Sequence, residues 1–143
     1  TLGPITLADS SAGVRAVAER KITAANARDM RVIDLDLMRD AVPPARYDIV
    51  YSMMVLHHVP DVPRALAAFH AMLEPGGWLC HADLDAEDGS FHGPLVDVHH
   101  GFERTTLRTW LSAAGFRDIV IGDCGSVAHH ERSYPLFIAT ARK

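Results

Sequence analysis

Apolar positions along the chain change period several times, and each change marks an element. Ile5-Thr6-Leu7-Ala8 is a short apolar run closed by Asp9-Ser10-Ser11. Beyond it Val14, Val17, Ala18 and Ile22 recur at spacings of three and four, with Arg15, Glu19, Arg20 and Lys21 off that stripe. The pattern predicts a strand over 5–8 and an amphipathic helix over 12–26, with Ser10 or Ser11 as N-cap because a hydroxyl can accept an orphan N–H of the first turn. Strands follow over 31–36 and 47–53. Pro43-Pro44 between them forbids a long helix, and the connector is short for a crossover, so it reads as an irregular arm.

Asp61-Val62-Pro63 has the form of an N-cap and first turn, and Ala65, Leu66, Phe69, Met72 and Leu73 make one apolar face that stops before Pro75-Gly76-Gly77. This predicts a helix over 62–73 and a strand over 78–84. Residues 85–103 show no period and read as a long loop at the mouth of the sheet. Thr105 or Thr106 caps a helix over 106–114, on which Leu107, Trp110, Leu111 and Ala114 share a face and which Gly115 ends. Strands over 117–121 and 135–140 close the chain, joined by a long connection through the polar residues 122–133, with the last strand antiparallel. Strands alternating with helices and ending in a hairpin predict an α/β three-layer sandwich with a mainly parallel sheet.

The 143 residues suit one domain, and 48% hydrophobic with 22% charged residues is enough for a packed core and excludes disorder. Fourteen Lys and Arg against eighteen Asp and Glu give a charge of -4, and the basic residues form no run that could track a phosphate backbone, so no nucleic acid is expected. The absence of an 18-residue apolar run or a leader-like segment argues against a membrane. Cys80 and Cys124 lie in apolar stretches without a CxxC spacing, as expected of reduced thiols in a cytoplasmic protein.

Asp9 stands between a strand and a helix, where a carboxylate can accept both hydroxyls of a ribose; it can equally cap the helix. Asp36, at the end of the next strand, can accept from an adenine amino group while Leu37 packs on the ring. Asp34 competes with it, because strand alternation puts both on one face. Nine histidines need a reading of their own. His57-His58, His81, His92 and His99-His100, with Asp83, Asp85 and Asp97, could ligate a divalent metal. Their spacing matches no compact ligand motif and adjacent histidines often point apart, so they read as polar loop residues and caps, with no metal. His129-His130 reads as a solvated turn pair. Phe69, Trp78, Phe102, Trp110 and Cys80 are assigned to packing.

Tyr47-Asp48-Ile49-Val50, then Ser52-Met53-Met54-Val55-Leu56-His57-His58-Val59, then Leu73-Glu74-Pro75-Gly76-Gly77-Trp78 make a specific succession. It resembles the later segments of class I S-adenosylmethionine-dependent methyltransferases, in the small-molecule branch related to ubiquinone and menaquinone biosynthesis. Ala114-Gly115-Phe116 resembles the helix end before that family's sixth strand, and the likeness runs from Ile5 to Ala141. The resemblance implies a Rossmann-like fold and S-adenosylmethionine as cofactor. It assigns ribose binding to Asp9 with Ser10 beside it, adenine binding to Asp36 with Leu37, and the donor-side wall to Ser52 and Met53. The implied activity is methyl transfer to a small-molecule acceptor, with His58 and then His100 as the base where the acceptor must lose a proton. The loop 85–103 is expected to cover the acceptor side.

One departure stands out. In the family a strand and a Gly-rich loop precede the ribose-binding acid by about twenty residues, whereas only eight residues precede Asp9 here. The expectation is a single methyltransferase-like domain over 1–143, N-terminally truncated, with the first family strand missing and the strands on either side of it left without their common neighbour. The rival class is a non-catalytic interaction domain completed by another chain; a homo-oligomer is equally open. A metal-dependent hydrolase, the third option, requires at least three His or carboxylate groups to converge.

Overall fold

The short strand Ile5–Asp9 (β1) leads through Ser11 into the helix Ala12–Ala24 (α1) and back to a strand at Met30–Asp34 (β2). The structure is a computed structural model and describes residues 3–93 and 95–143. β1 and β2 pair in parallel, from Ile5 opposite Met30 to Asp9 opposite Asp34, so this is the strand, helix, strand unit that the change of period requires. Of the two serines, Ser11 is the N-cap: its Oγ accepts from the Val14 N–H at 3.4 Å. No residue of α1 is buried. Val14 and Val17 are 51% and 40% exposed, and with Leu7, Ala18, Ile22 and Met30 they line an open apolar cleft of about 430 Å³. β2 stops at Asp34, which leaves Leu35 and Asp36 outside the strand. The same-face relation expected of Asp34 and Asp36 therefore fails, since alternation holds only within a strand. Residues 35–46 form turns and no helix, as the paired prolines dictate.

By packing, the chain divides into two units, one running to Ala41 and the other Val42–Lys143. The second holds strand Tyr47–Met53 (β3), a 3-10 turn Leu56–His58, helix Val62–Met72 (α2), strand Leu73–Leu84 (β4), helix Arg104–Ala113 (α3), and strands Arg117–His129 (β5) and Arg132–Arg142 (β6). The sheet order is β3-β4-β6-β5. β3 runs parallel to β4, and β6 is antiparallel to both β4 and β5. The fold is α/β and Rossmann-like, with parallel pairing in each unit and an antiparallel hairpin closing the chain.

α2 forms where the pattern places it. The Asp61 carboxylate accepts from the Arg64 N–H at 3.0 Å, and Val62, Ala65, Leu66, Ala68, Phe69 and Met72 are all buried. α2 and α3 touch each other, and Leu107 and Leu111 of α3, Leu79 and Leu84 of β4, and Phe137, Ala139 and Ala141 of β6 complete the buried core. Phe69 and Phe102 belong to it, whereas Trp78 is 42% exposed and Cys124 lies on the surface. Among the described residues no helix is long and apolar enough to cross a membrane.

Three local expectations are corrected. β4 begins at Leu73, directly after α2, so Pro75-Gly76-Gly77 lies within the strand. A Cβ on Gly77 would sit 2.9 Å from the Asp48 carbonyl oxygen, which is why glycine stands there. The connection between the last strands is a tight turn, with His130 and Glu131 at φ of +45° and +61°, and residues 122–129 extend β5 instead of forming a long connection. α3 starts earlier than expected, with Glu103 as its N-cap; Thr105 and Thr106 fall inside its first turn.

Candidate functional site

In the first unit Asp9 and Asp34 are the last residues of β1 and β2, and Asp36 follows just beyond β2. Asp9 Oδ1 accepts from the Ser11 N–H at 2.7 Å, so Asp9 fixes the turn into α1 without being its cap. The Arg15 guanidinium donates to the Asp9 carbonyl and to Asp34 Oδ1, each at 3.0 Å. Asp34 is thereby engaged in an ion pair. Asp36 accepts from the Met38 N–H at 2.9 Å, and its own N–H donates to Asp40 Oδ2 at 2.7 Å. A turn stabilised in this way presents Asp36 and Leu37 half-buried, and Ser10 is exposed. Asp34 is held by Arg15 at 3.0 Å, whereas Asp36 lies 3.9 Å from the Arg39 guanidinium.

In the second unit β3 ends at the buried Ser52 and the exposed Met53. Ser52 lies opposite His81 in the ladder, and its Oγ is buried without a hydrogen-bond partner among the described residues. The chain then turns at Met54, whose φ is +54°, into Leu56–His58. His57 and Asp83 are both buried there. His57 Nδ1 lies 2.5 Å from Asp83 Oδ1, the His57 N–H donates to Asp83 Oδ2 at 3.3 Å, and the Leu84 N–H donates to Oδ1 at 2.9 Å. Burial opposes the charge on Asp83, but the hydrogen bond and attraction from His57, the Leu84 amide and His81 outweigh it and hold the carboxyl below its ordinary pKa. His81 is lowered to about 4, first by burial, with His57 adding to the effect against the pull of Asp83.

This buried pair was missed in the sequence, where its members stand 26 residues apart. Asp83 carries the signal that could have found it: a carboxylate between Ala82 and Leu84 in an apolar strand demands a buried partner.

His58 is exposed, yet its ring centroid lies 4.1 Å from that of His57 and 4.9 Å from that of His92, which comes from the loop after β4. One ring nitrogen from each of the three histidines lies within 4.8 Å of the others. Adjacent histidines converge here instead of pointing apart. Burial and the neighbouring imidazoles lower the pKa of both His58 and His92. His99 serves structure: its N–H donates to the His57 carbonyl at 2.9 Å and its ring meets the Val59 carbonyl at 3.0 Å. His100 is exposed beside Gly89.

The loop 85–103 closes on itself. Asp85 bridges Phe102 at its base, where Gly101 approaches the Asp85 carbonyl too closely to admit a side chain. Arg104 clasps Asp85 through two hydrogen bonds of 2.7 and 2.6 Å. Phe91 packs against the cluster of Leu84, Tyr134 and Leu136, while Leu95 and Val96 are exposed. His130 takes the exposed turn position expected of it, whereas His129 ends β5, half-buried beside Phe91, and is not a solvated turn residue.

A methyltransferase domain family matches residues 4–120, more than half of the chain. The chain belongs to that family. A ubiquinone biosynthesis O-methyltransferase of Bordetella pertussis is 35% identical over 72 residues, which cover 50% of this chain and 30% of that protein. The chain thus spans less than a third of that relative's length. Among solved structures, the [4+2]-cyclase SpnF superposes with a TM-score of 0.79 at 18% identity, covering 99% of this chain and 67% of that one. An S-adenosylmethionine-dependent methyltransferase of Mesorhizobium loti gives 0.74 at 19% identity, covering 99% and 81%. At these identities the superpositions establish the fold of this methyltransferase domain, and the family match establishes its kinship.

Proposed function

We propose that this methyltransferase domain takes S-adenosylmethionine as methyl donor and a small molecule as acceptor. The observation that carries the reading is the family match over residues 4–120, which includes Asp9 at the end of β1 with only Oδ1 engaged by the Ser11 amide. The chain's polar groups fit the donor. Asp9, with Ser10 beside it, suits the ribose; Asp36 and Leu37 suit the adenine; Met53 and the unpartnered Ser52 Oγ suit the donor-side wall. The Gly-rich approach of the family has no counterpart in Gly3–Ala8.

When bound, S-adenosylmethionine supplies an electrophilic methyl group on a positively charged sulfur. The chain's own work is alignment of the acceptor and removal of its proton where it has one. His58, held largely neutral near pH 7 by its lowered pKa, is the first base in this reading, and the exposed His100 the second. The loop 85–103 offers the exposed Leu95 and Val96 to the acceptor side, while Phe91 and Phe102 are taken up in packing. The likeness to ubiquinone biosynthesis O-methyltransferases favours a small-molecule acceptor, and the composition favours a cytoplasmic setting.

A second reading, a non-catalytic domain completed by another chain, draws support from β3. Among the described residues this strand is the outer one of its sheet and pairs with β4 alone, and Ile49, Tyr51 and Met53 are 53%, 62% and 61% exposed on it. An open apolar edge strand invites a further strand. Donor binding measured by calorimetry separates the two readings. Under the first, Asp9→Ala weakens S-adenosylmethionine binding about ten- to a hundredfold, the loss of a charge-assisted hydrogen bond to a ribose hydroxyl. Unchanged affinity removes Asp9 from the site. Absence of donor binding, both in this chain and in one extended by an upstream strand and Gly-rich loop, favours the second.

A further inference from the structure

We propose that His57, His58 and His92 form a binding site for one divalent transition-metal ion of the zinc type. The inference does not rest on the donor reading, because it uses none of the groups assigned to the donor; it shares only His58 with the proposed base role. Three imidazoles from two segments converge, with one ring nitrogen from each within 4.8 Å of the others. Tetrahedral zinc with Zn–N bonds of about 2.0–2.1 Å needs its nitrogens about 3.3 Å apart. The remaining closure is small, and the exposed His58 and the loop-borne His92 can supply it by ring rotation.

Two independent observations point to a ligand. The first is the partner of His57. Asp83 holds its Nδ1 at 2.5 Å, which leaves Nε2 as the nitrogen with a free lone pair; a buried carboxylate behind a histidine fixes the tautomer and raises the basicity of a metal-ligating ring. It also places one negative charge beside a dication that three neutral rings cannot compensate. The second is His92, whose Nε2 is buried with no hydrogen-bond partner among the described residues. A buried ring nitrogen left without a partner costs free energy, and a metal ion is one way to satisfy it.

The donor set also selects the ion. Three nitrogens and no carboxylate in direct contact suit zinc, cobalt or nickel and not the oxygen-seeking magnesium or calcium. Three protein ligands leave a fourth position for water or an oxygen donor. Because a His58 nitrogen bound to the ion cannot take up a proton, ion occupancy and the base role exclude each other at that residue.

The test is a titration of the whole chain with Zn²⁺ against a chromophoric chelator, with Co²⁺ as a second probe read by the visible absorption of four-coordinate cobalt. The expected result is one ion per chain, not displaced by excess Mg²⁺. His58→Ala and His92→Ala should each weaken it at least tenfold, and Asp83→Asn by about ten- to a hundredfold through His57. His58 is exposed, so its variant keeps the fold, which circular dichroism verifies. Failure of the wild-type chain to bind one ion overturns the proposal. So does binding that neither His58→Ala nor His92→Ala changes, since the ion would then sit elsewhere, for instance on His129 and His130.

Discussion

Helices α1 and α2 carry the same kind of sequence pattern and end in opposite circumstances. Both place apolar residues at spacings of three and four. α2 buries six side chains against β3, β4 and α3, while α1 buries none, and Val14 and Val17 look out of an open cleft. Periodicity therefore reports which face of a helix seeks cover without saying whether cover is supplied. The unit from Val42 has four strands and two helices to close a core; the unit ending at Ala41 has two strands and one helix, too little surface to dry its interior.

The sharpest break of this comparison lies in α2. Leu66 is fully buried, so Leu66→Ala should cost about 2–5 kcal/mol, the sum of lost transfer energy and the cavity left behind. Urea denaturation followed by far-ultraviolet circular dichroism measures it. A loss below about 1 kcal/mol would mean that α2 is far less tightly packed than its burial implies.

A comparable effect is expected from His81, between the rings of Phe102 and Phe137. Its pKa in the fold is about 4, against about 6.5 in an unfolded chain. Between these values the unfolded state binds the proton and the folded state does not, so stability rises with pH across that window and falls as pH drops from 6.5 towards 4. The amplitude is about 3 kcal/mol. Asp83, whose pKa is lowered in the fold, acts in a more acidic window: its contribution is present above the ordinary carboxyl pKa and lost as pH falls through its lower folded value. Unfolding midpoints of the wild type and His81→Leu between pH 7 and 4 separate the two. A variant as steeply pH-dependent as the wild type would acquit His81.

Most of the element order was legible because the strand and helix periods differ so plainly at Ile5–Ile22 and Tyr47–Leu73. What was missed depended on contacts or on unusual turn residues. His130 and Glu131 adopt positive φ without the Asn or Gly that advertises such a turn, so the pattern of residues 122–133 predicts a long connection where the strands in fact continue. Glu103 starts α3 without a side-chain cap bond, and the threonines downstream offered a more conventional signal. Of the acids singled out in the sequence, Asp9 does end a strand, whereas Asp36 lies two residues beyond β2. The pairing of His57 with Asp83, and the approach of His92 to both His57 and His58, depend on how β4 and its following loop fold back, which no local spacing encodes.

The smallest expected effect belongs to α1 and tests the comparison from its other side. Val17→Ala removes a side chain already 40% exposed, so little burial is lost. Alanine also has the higher helix propensity, by roughly 0.5 kcal/mol over a β-branched residue. The two contributions oppose each other, and the net change should fall within about 0.5 kcal/mol, in contrast to the same kind of truncation at Leu66. Amide hydrogen exchange across Ala12–Ala24 is the suitable measurement, because it reads the local stability of α1 separately from the core around α2. A loss of protection equivalent to 2 kcal/mol or more would show that the apolar stripe of α1 is covered in solution. The contrast between the helices would then lie in what covers each one and not in whether it is covered.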